Sequence, residues 1–269
     1  MTSNQGGEPH VSVEYLTCYI SPTHFTHMSL AAKTKRKLRR SVEQTEQATQ
    51  HKGSLNPFYS KTDAQEDLWN SLNKHIVTLA IGPAGVGKTL VGLHWGLTAL
   101  FDRHISKVYY LRSDVGVDHQ RGRGALPGDF DQKVAPLLGP VHDNLAVIMR
   151  TPGAAEYVMS KKLVEPLLLE DIRGRSLNDC FVIADEAQNM TNSELTTILT
   201  RFGQDSKYFV VGDTYQADIG EKSGFKGIYN AFDADICKEN NINTFKFDGN
   251  DIVRSEILKF IVERLNTIK

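Results

Sequence analysis

The sequence contains few cysteines, and those that it has stand far apart. Cys18, Cys180 and Cys237 have neither a second cysteine nor a histidine at the spacing of metal ligands. This pattern excludes a disulfide framework and gives no indication of a zinc site. Because disulfides are typical of secreted proteins, their absence predicts a protein of the reducing cytoplasm.

Long apolar runs are scarce as well. The longest stretch without a charged residue, 15–32, is interrupted by threonine, serine, proline and histidine residues. It also lacks the basic residues that precede the apolar part of a signal peptide. We therefore expect no membrane-spanning helix and no export, and we expect the protein to remain in the cytoplasm.

Neither sign of charge is in excess. The 31 Lys and Arg residues nearly balance the 32 Asp and Glu residues, which gives a net charge of −1. This balance excludes a wholly basic nucleic-acid coat protein and an acidic disordered protein. The charges are unevenly distributed, because residues 1–40 contain six basic and only two acidic side chains. A small basic segment therefore precedes a mildly acidic body.

The composition divides the chain into a polar, partly basic extension over residues 1–55 and an α/β domain over residues 56–269. In the second region, apolar strand patterns alternate with helical patterns, which is typical of a mostly parallel sheet with helices on both faces. Strands are predicted at 76–81, 107–111, 180–184, 208–211 and 244–247, and helices at 89–101, 131–149, 192–202 and 251–266. The residues of the last helix that we expect to face the core are Ile257, Phe260, Ile261 and Leu265.

A complete phosphate-binding loop follows the strand predicted at 76–81. Its pattern, G-x-x-x-x-G-K-[ST], is matched by Gly82, Pro83, Ala84, Gly85, Val86, Gly87, Lys88 and Thr89. The glycines let consecutive backbone N–H groups converge on phosphate oxygens, and the following helix adds the positive end of its dipole. In this pattern the lysine reaches the β- and γ-phosphates, while the threonine hydroxyl ligates Mg²⁺. The sequence therefore predicts a nucleoside triphosphate site.

Two adjacent carboxylates, Asp185 and Glu186, end the strand predicted at 180–184. An acidic residue at this position beside the loop can hold Mg²⁺, usually through a water. A second carboxylate directly after it can orient and deprotonate an attacking water. Without the phosphate loop, two acids that merely cap the strand end would explain the pair. With the loop, Glu186 favours hydrolysis over phosphoryl transfer to a metabolite.

Other polar residues stand near the ends of predicted elements. Gln216 follows the strand at 208–211 and could sense the γ-phosphate or position the water. The charge of the transition state calls for an arginine, for which Arg254 is best placed, with Arg112 and Arg201 as alternatives. Gln65 could read an adenine edge with its amide, although on sequence alone an exposed helix glutamine is the simpler explanation.

These motifs in this order resemble the PhoH family of P-loop ATPases, which is related to superfamily 1 helicases. The matching segments are 82–89, 111–115, 125–145, 174–195, 199–219, 223–225 and 251–255. The resemblance implies a RecA-like P-loop NTPase core that binds ATP with Mg²⁺ and hydrolyses ATP. The site residues that it implies are Gln65 for the adenine, Asp185 and Glu186 as the Walker B pair, Gln216 in the helicase Gly-Asp-x-x-Gln motif, and the late arginine Arg254.

The resemblance also implies partners. Family members are linked to RNA, so we expect a helicase-like motor on single-stranded nucleic acid, with RNA favoured. Superfamily 1 helicases close two such domains on ATP, whereas this chain has room for one. We therefore expect a homo-oligomer, a hexamer by family analogy, in which Arg254 acts within its own chain or on a neighbour.

Two basic segments could contact a phosphate backbone. Six cations lie within residues 33–40, and Arg121 and Arg123 lie in a stretch that looks longer and more basic than the family's usual turn. A solvated linker or loop explains both segments as well. Two other functions also remain open, namely a small-molecule kinase on the same loop and a module that binds ATP only in order to assemble.

Overall fold

The computed structural model describes residues 54–113, 138–213 and 217–265 together with Thr267. The strands are β1 (Val77–Ile81), β2 (Lys107–Arg112), β3 (Val164–Pro166), β4 (Cys180–Asp185), β5 (Lys207–Gly212) and β6 (Ile242–Lys246). The α-helices are α1 (Asp63–Lys74), α2 (Lys88–Phe101), α3 (Gly139–Ile148), α4 (Pro152–Ser160), α5 (Leu169–Ile172), α6 (Asn192–Leu199), α7 (Phe225–Phe232), α8 (Asp235–Glu239) and α9 (Glu256–Leu265). Short 3₁₀ helices occupy Ala187–Asn189, Gly220–Lys222 and Gly249–Asp251.

The strands form one parallel sheet in the order β3-β2-β4-β5-β1-β6. β5 lies between β1 and β4, so Gly212 at the end of β5 is level with Ile81 at the end of β1. Because the carboxyl ends of parallel strands lie at one edge, the ends of β1, β5 and β4 are neighbours there. The predicted α/β class with a mostly parallel sheet is confirmed, and the architecture is that of a RecA-like P-loop core.

The core lies on both faces of the sheet. Alternate strand residues point to opposite faces, so Phe181 and Phe209 pack with α1, α2 and α3, whereas Val182 and Val210 pack with α6 and α7. All four are fully buried. Each such side chain stabilises the fold by about 1.5–3 kcal/mol relative to an exposed one. The sheet edge that carries the loop is therefore held rigidly from two sides.

The predicted elements agree with the structure to within a few residues, apart from the helices predicted at 131–149 and 251–266. The second of these begins at Glu256. The helix predicted at 131–149 begins, within the described chain, at Gly139, because Pro140 is tolerated in a first turn and starts the helix rather than interrupting it. Residues 131–137 lie outside the described ranges. Thr62 caps α1, since its hydroxyl accepts from the Gln65 N–H.

The orientation predicted for the last helix is wrong. The four residues expected to face the core are instead exposed, namely Ile257 (64%), Phe260 (52%), Ile261 (45%) and Leu265 (48%). α9 contacts the core through Leu258 and Val262, which follow one another at the i, i+4 spacing on a different side of the helix. An apolar face of α9 therefore remains in solvent.

Candidate functional site

The loop between β1 and α2 forms one wall of the site. Gly85 and Gly87 have φ angles of 87° and 88°, a left-handed conformation that glycine adopts without strain. A Cβ at Gly85 would lie 2.6 Å from Cδ2 of Leu258, and one at Gly87 would lie 2.8 Å from Nε2 of Gln65. The loop is therefore packed between α1 and α9, and the positive φ angles favour glycine at both positions.

Lys88 is the first residue of α2. Its ammonium group donates to the carbonyl oxygens of Gly82 and Pro83, each at 2.8 Å. Burial lowers the pKa of Lys88, while the negative charges of Asp213, Asp185 and Glu186 act in the opposite direction. The ammonium group therefore lies between the loop and the carboxylates at the ends of β4 and β5. This is the place expected of a lysine that binds phosphate oxygens.

Thr89 and Asp185 meet across the intervening strand. The Thr89 hydroxyl lies 3.2 Å from Oδ1 and 3.1 Å from Oδ2 of Asp185, and the Glu186 N–H donates to Oδ1 at 3.0 Å. Burial, and then the charge of Glu186, raise the pKa of Asp185 above its ordinary value. A buried carboxylate that is costly to ionise gains from a nearby cation.

This pair fits a magnesium ion. Mg²⁺ prefers oxygen ligands and is bound by one or two protein groups together with phosphate oxygens and water. A hydroxyl and a carboxylate beside a phosphate loop supply such a set. In the part of the chain that the structure describes, there is no group of three or more His, Cys, Asp and Glu residues that could form a closed metal cage.

Glu186 follows Asp185 in a left-handed backbone conformation, with a φ angle of 53°. Such a conformation costs about 1–3 kcal/mol outside glycine and is found at functional sites. The turn directs the carboxylate away from β4. Its Oε1 lies 3.5 Å from Nη2 of Arg112, and its Oε2 accepts from Nε2 of Gln188 at 2.6 Å. The carboxylate is therefore held from two sides.

Gln188 is a site residue that sequence reasoning missed. Its side chain is buried, its Nε2 donates to Glu186, and its Oε1 accepts from the Asp213 N–H at 2.8 Å. It therefore ties the carboxylate at the end of β4 to the backbone at the end of β5. The only signal in the sequence is a glutamine two residues after the acidic pair, and its second partner is 25 residues away.

Gln65 lies under the loop rather than on the surface. It is 3% exposed, its Nε2 donates to the Val86 carbonyl oxygen at 2.9 Å, and its Oε1 accepts from the Lys61 N–H at 2.8 Å. The explanation as an exposed helix glutamine is therefore wrong. In this arrangement, its amide supports the phosphate loop from α1.

The three candidate arginines occupy different places. Arg254 lies beside the loop of its own chain, because the preceding Val253 N–H donates to the Gly85 carbonyl oxygen at 3.1 Å. Arg112 ends β2 and contacts Glu186. Arg201 lies at the opposite edge of the sheet, where its carbonyl accepts from the Leu177 N–H before β4 begins. Arg201 is therefore too far from its own phosphate loop to serve it.

Other sequence predictions fall outside the described residues. These are the predicted roles of Gln216, of Arg121 with Arg123, and of the basic segment 33–40. Among the helices that the structure describes, none is long and apolar enough to cross a membrane.

Comparisons with known proteins agree with the fold and the loop. Residues 58–266 match the family model of PhoH-like proteins. A PhoH-like protein of Bacillus subtilis is 33% identical over 210 residues, which cover 76% of this chain and 62% of that protein. A PhoH-like protein of Synechocystis is 35% identical over 194 residues, which cover 71% of this chain and 58% of that protein. Protein PhoH of Escherichia coli is 30% identical over 207 residues, which cover 75% of this chain and 56% of that protein. The chain spans about three fifths of the length of these curated relatives.

Proposed function

Because the chain belongs to the PhoH family of nucleotide-binding P-loop proteins, we propose that it hydrolyses ATP with Mg²⁺ and couples turnover to single-stranded nucleic acid, with RNA favoured. One observation carries the proposal of hydrolysis. Glu186 presents a carboxylate next to the Thr89–Asp185 pair and is held there by Arg112 and Gln188. A kinase has no use for a carboxylate that activates water, so this arrangement supports hydrolysis.

Each part of the site has a role in this reaction. The loop 82–87 and the start of α2 bind the phosphates, and Lys88 shifts its hydrogen bonds from loop carbonyls to the β- and γ-phosphate oxygens. Thr89 and Asp185 would hold Mg²⁺, which would neutralise charge on the transferred phosphoryl group. Glu186 accepts a proton from water on Oε1 or Oε2 as the water oxygen attacks the γ-phosphorus and the bond to the β-phosphate oxygen breaks.

Arg254 is proposed as the cation that stabilises the transition state. Its backbone lies beside Gly85 of its own chain, so the shortest route for its side chain is into its own site. Gln216 is proposed to sense the γ-phosphate from the end of β5. Gln65 is also proposed to read the adenine edge, because its amide keeps a second N–H beside the one that it donates to the Val86 carbonyl oxygen.

A homo-oligomer, with a hexamer as the analogous state, is the proposed assembly. The exposed face of α9 supports it, because Ile257, Phe260, Ile261 and Leu265 form a continuous apolar stripe on the helix that packs on the phosphate loop. A second copy of this chain covering that stripe would sense the state of the loop directly. ATP turnover would then move one subunit relative to the next.

The experiment is steady-state phosphate release by the full chain with Mg²⁺-ATP, with and without a single-stranded RNA and the matching DNA. We expect turnover, greater stimulation by RNA than by DNA, and loss of turnover when EDTA is added. Absence of phosphate release with Mg²⁺-ATP alone, with added RNA and with added DNA would reject the proposal.

The second candidate is a module that binds ATP only in order to assemble, and the exposed stripe of α9 favours it equally. Solution mass measured with and without ATP, next to phosphate release, separates the two. An ATP-dependent rise in mass without phosphate release would support the assembly module. Phosphate found on an added nucleoside would instead indicate a kinase.

A further inference from the structure

A hydroxyl from β2 reaches the carboxylate proposed to hold Mg²⁺. Tyr110 lies beside β4 in the sheet, where it pairs with Ile183, two residues before Asp185. Its hydroxyl donates to Oδ2 of Asp185 at 2.6 Å, and its side chain is 1% exposed. Tyr110 belongs to none of the sequence motifs that indicate nucleotide binding, so only the three-dimensional structure connects it with the site.

The bond between Tyr110 and Asp185 is of the strong, charge-assisted kind. A neutral phenol donates to an ionised carboxylate oxygen over a short distance in a site without bulk water. A carboxylate group accepts through its oxygens and has no hydrogen to donate. The direction of the bond is therefore fixed, with Tyr110 as donor and Asp185 as acceptor.

The other two donors to Asp185 cannot fix the carboxylate alone. Thr89 approaches both oxygens at 3.1–3.2 Å, and its hydroxyl oxygen is the proposed metal ligand. The Glu186 N–H contacts only Oδ1, at 3.0 Å, and lies in the strained turn. Tyr110 is buried, belongs to an inner strand of the sheet and donates only to Oδ2. It therefore restricts rotation of the carboxylate about the Cβ–Cγ bond.

We infer that Tyr110 is a positioning residue that holds the Asp185 carboxylate in the orientation that binds the divalent cation, and thereby sets the cation affinity of the site. The inference rests on the proposed function in one respect, namely that Asp185 serves a nucleotide-bound cation. It requires no hydrolysis. A site without the Tyr110 hydroxyl binds the cation more weakly, because the carboxylate must first be ordered.

The sheet supplies a matched control. Tyr208 lies on β5 with 1% exposure, and in the described part of the chain its hydroxyl has no hydrogen-bond partner. Tyr208→Phe and Tyr110→Phe therefore remove the same atom from equally buried rings of one sheet. Only Tyr110→Phe removes a bond to Asp185.

The test is the binding of Mn²⁺ to the full chain in saturating ADP, followed by electron paramagnetic resonance. We expect Tyr110→Phe to weaken Mn²⁺ binding by about tenfold or more, the effect of one hydrogen bond to a charged group. Binding of a fluorescent ATP analogue in EDTA should stay unchanged, and Tyr208→Phe should alter neither quantity. Equal Mn²⁺ affinity in Tyr110→Phe and the wild type, equal losses in both tyrosine variants, or no Mn²⁺ binding by the wild type would overturn the inference.

A double-mutant cycle with Asp185→Asn tests the route of the effect. Without the carboxylate, loss of the Tyr110 hydroxyl should not change Mn²⁺ binding any further. A full additional loss in Tyr110→Phe/Asp185→Asn would contradict the inference. If Tyr110→Phe alone fails to fold because the buried carboxylate loses a donor, the double variant should regain the fold, which would also support the bond. These experiments measure cation binding and do not depend on phosphate release. A protein that binds Mn²⁺ and ADP but does not turn over ATP would therefore reject the proposed hydrolysis and leave the inference about Tyr110 intact.

Discussion

The carboxyl edge of the sheet buries polar side chains, whereas α9 leaves apolar ones in solvent. The polar set, here called the strand-end cluster, consists of the partly buried Lys88 and Thr89 and the buried Tyr110, Asp185 and Gln188. Each member makes hydrogen bonds of 2.6 to 3.2 Å, and those of Thr89 and Tyr110 both go to Asp185. The apolar face of α9 consists of Ile257, Phe260, Ile261 and Leu265, each about half exposed or more.

The two regions depart from ordinary protein architecture in opposite directions. Burying polar and charged groups is unfavourable unless each has a partner, so the strand-end cluster is expected to respond to the loss of a single atom. Exposed apolar side chains contribute little to the fold of a monomer, so α9 is expected to tolerate changes. The comparison therefore predicts strong effects of conservative substitutions in the cluster and weak effects of larger ones on α9.

Among substitutions in the strand-end cluster and on α9, the largest effect is expected from Gln188→Met, which keeps the volume and removes both hydrogen bonds. Glu186 would lose its 2.6 Å partner, and the buried Asp213 N–H would lose its acceptor. We expect kcat to fall by about 10- to 100-fold because the carboxylate is no longer oriented. The free energy of unfolding should fall by about 1–3 kcal/mol.

The dissociation constant of ATP distinguishes positioning from general damage in this variant. It should remain within about twofold of the wild-type value, because the hydrogen bonds of Gln188 go to Glu186 and Asp213 and not, among the described residues, to the loop or Lys88. The comparison would fail if kcat were unchanged, or if ATP binding were lost together with turnover.

An intermediate effect is expected from Asp185→Asn in metal-free buffer. Burial raises the pKa of Asp185 in the folded protein, so the ionised carboxylate destabilises the fold at pH values above the folded pKa. The substitution should stabilise the metal-free protein by about 1 kcal/mol at neutral pH. The gain should shrink as the pH falls through the folded pKa, because the wild-type carboxyl then takes up its proton.

Thermal unfolding in EDTA at several pH values measures this gain. Adding Mg²⁺ and ADP should reverse the order of stability, since the wild type alone keeps the full ligand set. If the variant were less stable than the wild type at neutral pH without metal, the ionised Asp185 carboxylate would not destabilise the fold, and the prediction would be wrong.

The smallest effect on stability is expected on α9. Ile257→Ser and Ile261→Ser should each change the free energy of unfolding of dilute protein by no more than about 0.5 kcal/mol. Val262→Ala, on the buried side of the same helix, serves as the control and should cost about 2 kcal/mol. The solution mass in ATP should fall for the two exposed variants. An unchanged mass would show that the apolar face of α9 takes no part in assembly.

How far the sequence predicts this structure depends on whether a property is local. The loop, Asp185 and Glu186 lie in short runs whose spacing alone carries the chemistry, and the strands before them are continuous apolar runs. The sheet class follows from the alternation of such runs with helices. The positions of Thr89 and Asp185 next to each other also follow, once the carboxyl ends of parallel strands share an edge.

The remaining features depend on contacts between distant segments. Gln188 and Tyr110 acquire their roles from β5 and from the pairing of β2 with β4, which no local pattern encodes. In α9, the apolar residues cover more than one side of the helix, and periodicity does not say which side meets the core. In the structure, Leu258 lies on the side that packs against the loop at Gly85.

The central claim is that the phosphate loop, Lys88, Thr89 and Asp185 bind Mg²⁺-ATP and that Glu186 turns binding into hydrolysis. Glu186→Gln keeps the size of the side chain and removes the base, so the most direct measurement is ATP binding and phosphate release by this variant beside the wild type. We predict an ATP dissociation constant within about threefold of the wild-type value and a turnover lowered by about 100-fold or more. Phosphate release at the wild-type rate in Glu186→Gln would contradict the account.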